Sequence, residues 1–324
     1  MSIRRRVSAV VWNETQDRAR APWRIVVPLI PLFAIVAPIG VVLIDRLPIP
    51  VILFVSQLVL AVTAFVVFAV STRYLDCRRS IWEYGLAVDR QWSGELIAGF
   101  AIGVVAVVAP YLLGAATGLY EVSTALSPGA VGLWLGLLLL VLGFLCTGFW
   151  EELFFRGVFM TNAAEGLRGR FSKRHAIVVA LVLQAVVFGV LHVEAWATQA
   201  PHPAFVLTWI LSGLVFGILY LLSDGLALPI GVHAAVNTAR DGLISEVTPA
   251  ESEMAMLFFA EPVVRSPAFG HGGVMMVSQT LLAAFLGVLW VRYATDSKLD
   301  LWRHPSFFVT DADAGVTGQP DTSE

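Results

Sequence analysis

Charge is scarce in this sequence. Only 14% of its 324 residues are Asp, Glu, Lys or Arg, against about 25% in ordinary globular domains. So few charges cannot dress a soluble surface. Cysteine is nearly absent: Cys77 and Cys146 lie far apart with no CxxC, which argues against both a disulfide framework and a thiolate zinc site. Neither sign of charge dominates, since the net charge is −3 and no basic cluster is long, so nucleic acid is not expected as a partner. The first 24 residues are polar and arginine-bearing and lack the short apolar core of a cleavable signal. No internal repeat is visible beyond the alternation of apolar runs. What is abundant is apolar surface: 57% of residues are hydrophobic and the mean hydropathy is +0.78. The composition is that of an integral membrane protein.

A bilayer core about 30 Å thick takes roughly 20 helical residues to cross. Runs of that kind are Ile25–Ile44, Val51–Val70, Leu96–Leu113, Val131 to about Met160, Ala176 to about Ala197, Phe205–Leu222, Leu226–Ile244 and Val274–Tyr293. The expected fold is therefore all-α, a polytopic membrane bundle of about eight transmembrane helices. With the N-terminus inside, eighteen of the 21 Lys and Arg fall on the inner side, as the positive-inside rule requires. This predicts N-in, C-in topology and a multi-pass protein of the plasma membrane. Residues 1–24 would be a basic cytoplasmic segment, 25–293 one transmembrane bundle, and 294–324 a cytoplasmic, largely disordered acidic tail. Arg73–Trp92, with Trp82, Tyr84 and Trp92 among its arginines, suits either an interfacial helix or a solvated connector. Glu246–Gly273 reads as an outer cap. Ser212, Gly213 and Gly217 read as a stripe that lets helices approach closely.

Most spans are almost purely Leu, Val, Ile, Ala, Gly and Phe, and the exceptions fall in three places. Glu151, Glu152 and Arg156 interrupt the fourth run, Phe188 and His192 the fifth, His233 and Asn237 the seventh. An ionised residue at mid-membrane costs about 2.5–3.5 kcal/mol or more, so such residues are expected to face the bundle interior and to pair. Glu152 and Arg156 are four apart, on one helix face, and can pair. Glu151 lies 100° further round and is left as a carboxylate free to act on something else. His233 and Asn237, also four apart, would present an imidazole and an amide to one cavity, with Phe188 stacking a turn before His192. Each set has a plain reading by itself: surface glutamates, a packed histidine, a helix-bridging pair. Glu194 is a further candidate, although the outer loop is its simpler place.

The three sets also form a known pattern. Glu151-Glu152-Leu-Phe-Phe-Arg156 matches EExxxR, Phe188-Gly-Val-Leu-His192 matches FxxxH, and His233-Ala-Ala-Val-Asn237 matches HxxxN. In that order on hydrophobic helices, they resemble the CAAX-protease and bacteriocin-processing (CPBP, or Abi) family, which includes type II CAAX prenyl endopeptidases and lysostaphin-resistance-like proteins. The resemblance covers about residues 131–244. It implies an intramembrane endopeptidase acting on a membrane-embedded or lipidated protein or peptide. In that reading Glu151 activates a water that His192 helps to hold. His233 and Asn237 donate to the carbonyl oxygen as charge develops, and Arg156 with Glu152 fixes the geometry. Two chemistries stay open: a zinc ion (Zn2+) held by Glu151, His192 and His233, or a metal-free glutamate mechanism.

Depth along the helices sets the condition for this reading. At 1.5 Å per residue, His192 lies about 24 Å along its run while His233 lies only about 13 Å in from Asp224, so one run must tilt or begin deeper for the two to meet. Two other classes compete. One is a transporter or proton/cation pathway, against which stands the lack of an inverted repeat or paired broken helices. The other is a non-catalytic immunity or scaffold protein of the same fold.

Overall fold

The computed structural model describes residues 10–43, 46–77, 79–192, 206–264, 273–294 and 299–302. Glu194, the acidic tail from 303 onward and residues 1–9 lie outside the described residues. A two-residue hairpin, β1 (Trp12–Asn13) with β2 (Arg18–Ala19), precedes the helices α1 (Ala21–Val26), α2 (Leu29–Leu43) and α3 (Ile49–Tyr74). A 3-10 turn at Ile81–Tyr84 leads into α4 (Arg90–Ala116) and strand β3 (Tyr120–Ser127). Then come α5 (Leu133–Glu152), a π-helical segment at Leu153–Met160, and α6 (Thr161–Leu167). The chain continues through α7 (Lys173–Leu191), α8 (Val206–Ser223) and α9 (Ala227–Thr238), which ends in a second π segment at Ala239–Leu243. Strands β4 (Ile244–Ser245) and β5 (Met256–Pro262) precede α10 (Val274–Ala294).

Among the described residues, seven helices are long and apolar enough to cross a membrane: 21–39, 49–74, 90–116, 133–167, 173–191, 206–223 and 274–294. The run expected as an eighth span, Leu226–Ile244, behaves differently. Its α-helical part is only 12 residues and is buried at nearly every position. It is the hub of the bundle. Gly99 and Gly103 of α4 press against the α9 backbone with no room for a Cβ, Gly231 presses back on α4, and Gly148 of α5 packs on its other side. A helix enclosed by protein can carry the His, Asn, Arg and Asp that made this run look weak as a lipid-facing span.

Other departures have local causes. The third span begins at Arg90 rather than Leu96, because Asp89 caps the helix by accepting the backbone N–H of Trp92 at 2.8 Å. The connector before it turns inward: Ile81, Tyr84 and Leu86 are buried, while Trp82 is exposed. Burial of the Tyr84 hydroxyl beside Asp76 pushes its pKa up to about 12. The stretch Glu246–Gly273, expected as an outer cap, contains the strand Met256–Pro262. The sheet runs in order β3-β5-β4, antiparallel between β3 and β5 (Tyr120↔Pro262) and parallel between β5 and β4 (Ile244↔Phe258). Tyr111 and Tyr120 both donate to Glu246 Oε1, at 2.9 and 3.0 Å, tying the sheet to α4.

Candidate active site

The long rod Leu133–Leu167 changes winding immediately after Glu152, where the π segment Leu153–Met160 begins. A widened turn of this kind is rare and often lies at functional sites. Glu151 and Glu152 are the last α-helical residues before it, and both are buried. Arg156, inside the π segment, is fully buried and donates from Nη1 to Glu152 Oε1 at 2.9 Å. Its Nη2 also donates to the Gly213 carbonyl at 3.3 Å. The guanidinium lies 4.7 Å from the Phe188 ring centroid and 5.2 Å from that of Phe216, where the ring faces help offset its lost hydration.

Glu152 Oε1 also accepts from Nδ1 of His233 at 2.8 Å. A carboxylate already paired with arginine is ionised, so Nδ1 carries the proton and Nε2 presents a lone pair. The ring of His233 stacks on Phe216, 4.9 Å between centroids and 9° between planes. His192 follows the last residue of α7 and donates from Nδ1 to the Phe188 carbonyl at 2.7 Å, since a carbonyl can only accept. It lies against Trp209 at 4.5 Å and 14°, and against Phe188 at 4.4 Å. Both imidazoles are thus held in orientation, with Nε2 turned to Glu151.

Glu151 Oε2 stands 3.8 Å from His233 Nε2 and 4.0 Å from His192 Nε2. It is buried and accepts no hydrogen bond among the described residues. Three lone-pair-bearing atoms therefore face one another across a gap. A water about 2.8 Å from two such acceptors spans separations of this size at about 85–91°, tighter than tetrahedral. A tetrahedral zinc misses by a similar margin in the opposite sense. Its ligands stand about 3.3 Å apart, so the three side chains would have to draw together. Among the described residues no group of three His, Cys, Asp or Glu is gathered closely enough to hold a metal ion.

The depth condition is met through the start of α9. Gly225 and Leu226 of the turn after α8 are buried, and Leu226 N–H donates to the Gly85 carbonyl of the 81–86 connector at 2.9 Å. Helix α9 therefore begins beneath that connector, and His233 lies correspondingly deeper. Asn237, one turn further, lines with His233 a cavity of ≈ 20 Å³ that also reaches Trp209 and Arg240. All seven residues singled out from the sequence come to this one region.

Several neighbours gave no warning. Trp209, Phe216 and Gln184 look like ordinary span residues. Gln184 donates to the Gly213 carbonyl at 2.9 Å, the same oxygen that takes Arg156. The Gly213–Gly217 stripe does pack closely against Ala185 and Leu181, and it also exposes that carbonyl. Only the spacing of Ser212, Gly213 and Gly217 hinted at a close backbone approach.

Residues 130–239, about a third of the chain, match the family model described as type II CAAX prenyl endopeptidase Rce1-like. This segment is an Rce1-like domain. It belongs to the CAAX-protease (CPBP) family. The Rce1-like domain contains Glu151, Glu152, Arg156, Phe188, His192, His233 and Asn237, while Arg240, the hairpin, α1 to α4 and α10 lie outside it. No curated protein and no solved structure matches the chain.

Proposed function

We propose that this multi-pass membrane protein is an intramembrane endopeptidase that hydrolyses a peptide bond of a membrane-embedded or lipidated, CAAX-type substrate in the plasma membrane. One observation carries the reading. Glu151 Oε2 is buried, accepts no hydrogen bond among the described residues, and faces the unprotonated Nε2 atoms of two oriented histidines at 3.8 and 4.0 Å.

A water in that gap donates one hydrogen to Glu151 and the other to His192. Glu151 takes the proton as general base, and the oxygen bonds to the carbonyl carbon. Negative charge grows on the carbonyl oxygen, where the Asn237 amide donates. His233, held by Glu152 on Nδ1, faces the same gap through Nε2. A donor such as the amide contributes about 2.7–4 kcal/mol in a water-poor site. The C–N bond then breaks as Glu151 returns its proton to the leaving nitrogen, which restores the enzyme. Arg156 holds Glu152, Glu152 holds His233, and Trp209 holds His192. If zinc takes part, the same Glu151, His192 and His233 are its ligands, and it supplies Lewis acidity at that water.

The test uses the full chain in proteoliposomes with a farnesylated fluorogenic peptide. Cleavage by the wild type, its loss in Glu151→Gln, and indifference to a chelator are the expected results. Cleavage retained by Glu151→Gln would remove Glu151 as base. Loss with chelator and recovery with zinc would replace the metal-free route. Absence of cleavage in both forms would favour a scaffold.

A further inference from the structure

A second cavity, of ≈ 490 Å³, lies away from the catalytic gap. Arg18, Arg20, Arg24, Arg168 and Arg170 line it, with Glu165 the one acidic side chain among its lining residues. Two of the arginines form a buried floor. Arg18 Nη1 and Arg24 Nη1 reach Asp76 Oδ1 at 2.9 and 3.0 Å, and both also pair with Glu165. Behind them Arg79, also buried, stands 4.0 Å from Asp76. Arg18, Arg24 and Arg79 thus share two carboxylates, so the buried floor keeps a surplus of one positive charge beneath a lining rich in arginine. Nor is the floor fully used: Arg24 Nε and Arg79 Nε and Nη1 are buried without a hydrogen-bond partner among the described residues.

Position narrows the ligand. The apolar span 21–39 begins at this cavity and the span 133–167 ends there. That places the opening at headgroup depth, where Trp12 and Trp23 of the same hairpin and helix also sit. Planar guanidinium forks match phosphate oxygens in pairs. A volume of this size accepts a polar group of several heavy atoms while acyl chains remain in the bilayer. From this we infer that the cavity is a binding site for a phosphate group, supplied by the headgroup of an anionic phospholipid. Basic pockets beside transmembrane helices take such headgroups. The site touches none of the hydrolytic side chains and does not depend on the peptidase reading.

The experiment uses the purified full chain in neutral detergent and phosphatidylglycerol as probe, with the apparent dissociation constant read by native mass spectrometry. The exposed rim is neutralised in the triple variant Arg20→Gln, Arg168→Gln, Arg170→Gln, leaving the buried floor intact. At about 1 kcal/mol per surface arginine, the constant rises on the order of a hundredfold. A second triple variant with Lys at the same places separates charge from fold, and recovers most of the binding. Equal affinity in the wild type and the Gln variant overturns the site. A parallel arm adds inorganic phosphate and follows the thermal midpoint. Rim-dependent stabilisation by phosphate without rim-dependent lipid binding overturns the lipid source in favour of a soluble phosphate.

Discussion

Two buried ionic clusters lie in this bundle, and they carry opposite surpluses. In the Rce1-like domain, two buried carboxylates (Glu151, Glu152) stand against one guanidinium, Arg156, which pairs with Glu152 alone. At the end of the rod, three buried guanidiniums (Arg18, Arg24, Arg79) share two carboxylates, Asp76 and Glu165. Removing charges from water costs several kcal/mol per ion even after relaxation, so each cluster neutralises what it can. What is left over differs. The first retains an acceptor with nothing to accept, which suits proton abstraction. The second retains donors, which suits an anion. The sign of the imbalance, rather than the number of ion pairs, separates the proposed hydrolytic chemistry from the proposed binding chemistry.

The comparison breaks most sharply at Glu151. Glu151→Gln keeps shape and burial and removes the surplus acceptor. Peptide cleavage should fall by about 10²–10⁴-fold, the range of a lost general base, with membrane insertion unchanged. A fluorogenic assay on matched amounts of inserted protein checks it.

Next in size is the structural half of the same cluster. Glu152→Leu leaves Arg156 buried and unpaired and should cost about 3–5 kcal/mol of stability, whereas adding Arg156→Met should recover most of that loss. Activity should not return in the double variant, because His233 has lost the acceptor on Nδ1. Unfolding in mixed micelles alongside turnover separates the two effects.

Smaller still is Gly213→Ala, whose Cβ would stand 2.9 Å from the Ala185 backbone. Forcing α7 and α8 apart should cost about 1–3 kcal/mol by overpacking and loosen the carbonyl that Arg156 and Gln184 share, read as a lower thermal midpoint. The mildest change is Trp209→Ala. It removes the stack on His192, worth about 0.5–1.5 kcal/mol, and should lower turnover by up to about tenfold without moving the midpoint comparably.

Much of the architecture is legible in the chain because hydrophobic runs and helical phase are local. The Glu152–Arg156 pairing follows from a spacing of four, and so does the shared face of His233 and Asn237. Less local features are not legible. The pairing of Tyr120–Ser127 with Met256–Pro262 joins segments more than a hundred residues apart, and neither carries a turn signal toward the other. Enclosure of Ala227–Thr238 depends on glycines in α4 and α5 that look like ordinary small residues of spans. Trp209 and Phe216 are typical membrane aromatics until the histidines lie against them. The two arginine partners of Glu165 come from the hairpin and from α1, about 145 residues earlier in the chain, beyond any periodicity argument.

The widened turns at Leu153–Met160 also set a phase. Glu151 and Glu165 ride on the same axle, Leu133–Leu167, and this segment fixes the angle between them. Rewinding the same residues as ordinary α-helix would leave the stretch as greasy as before. It would also turn everything downstream relative to the glutamates upstream, swinging Glu165 off Arg18 and Arg24. One irregular stretch of backbone therefore acts as a clocking joint, keeping the proposed hydrolytic centre and the cationic pocket in register along a single shaft.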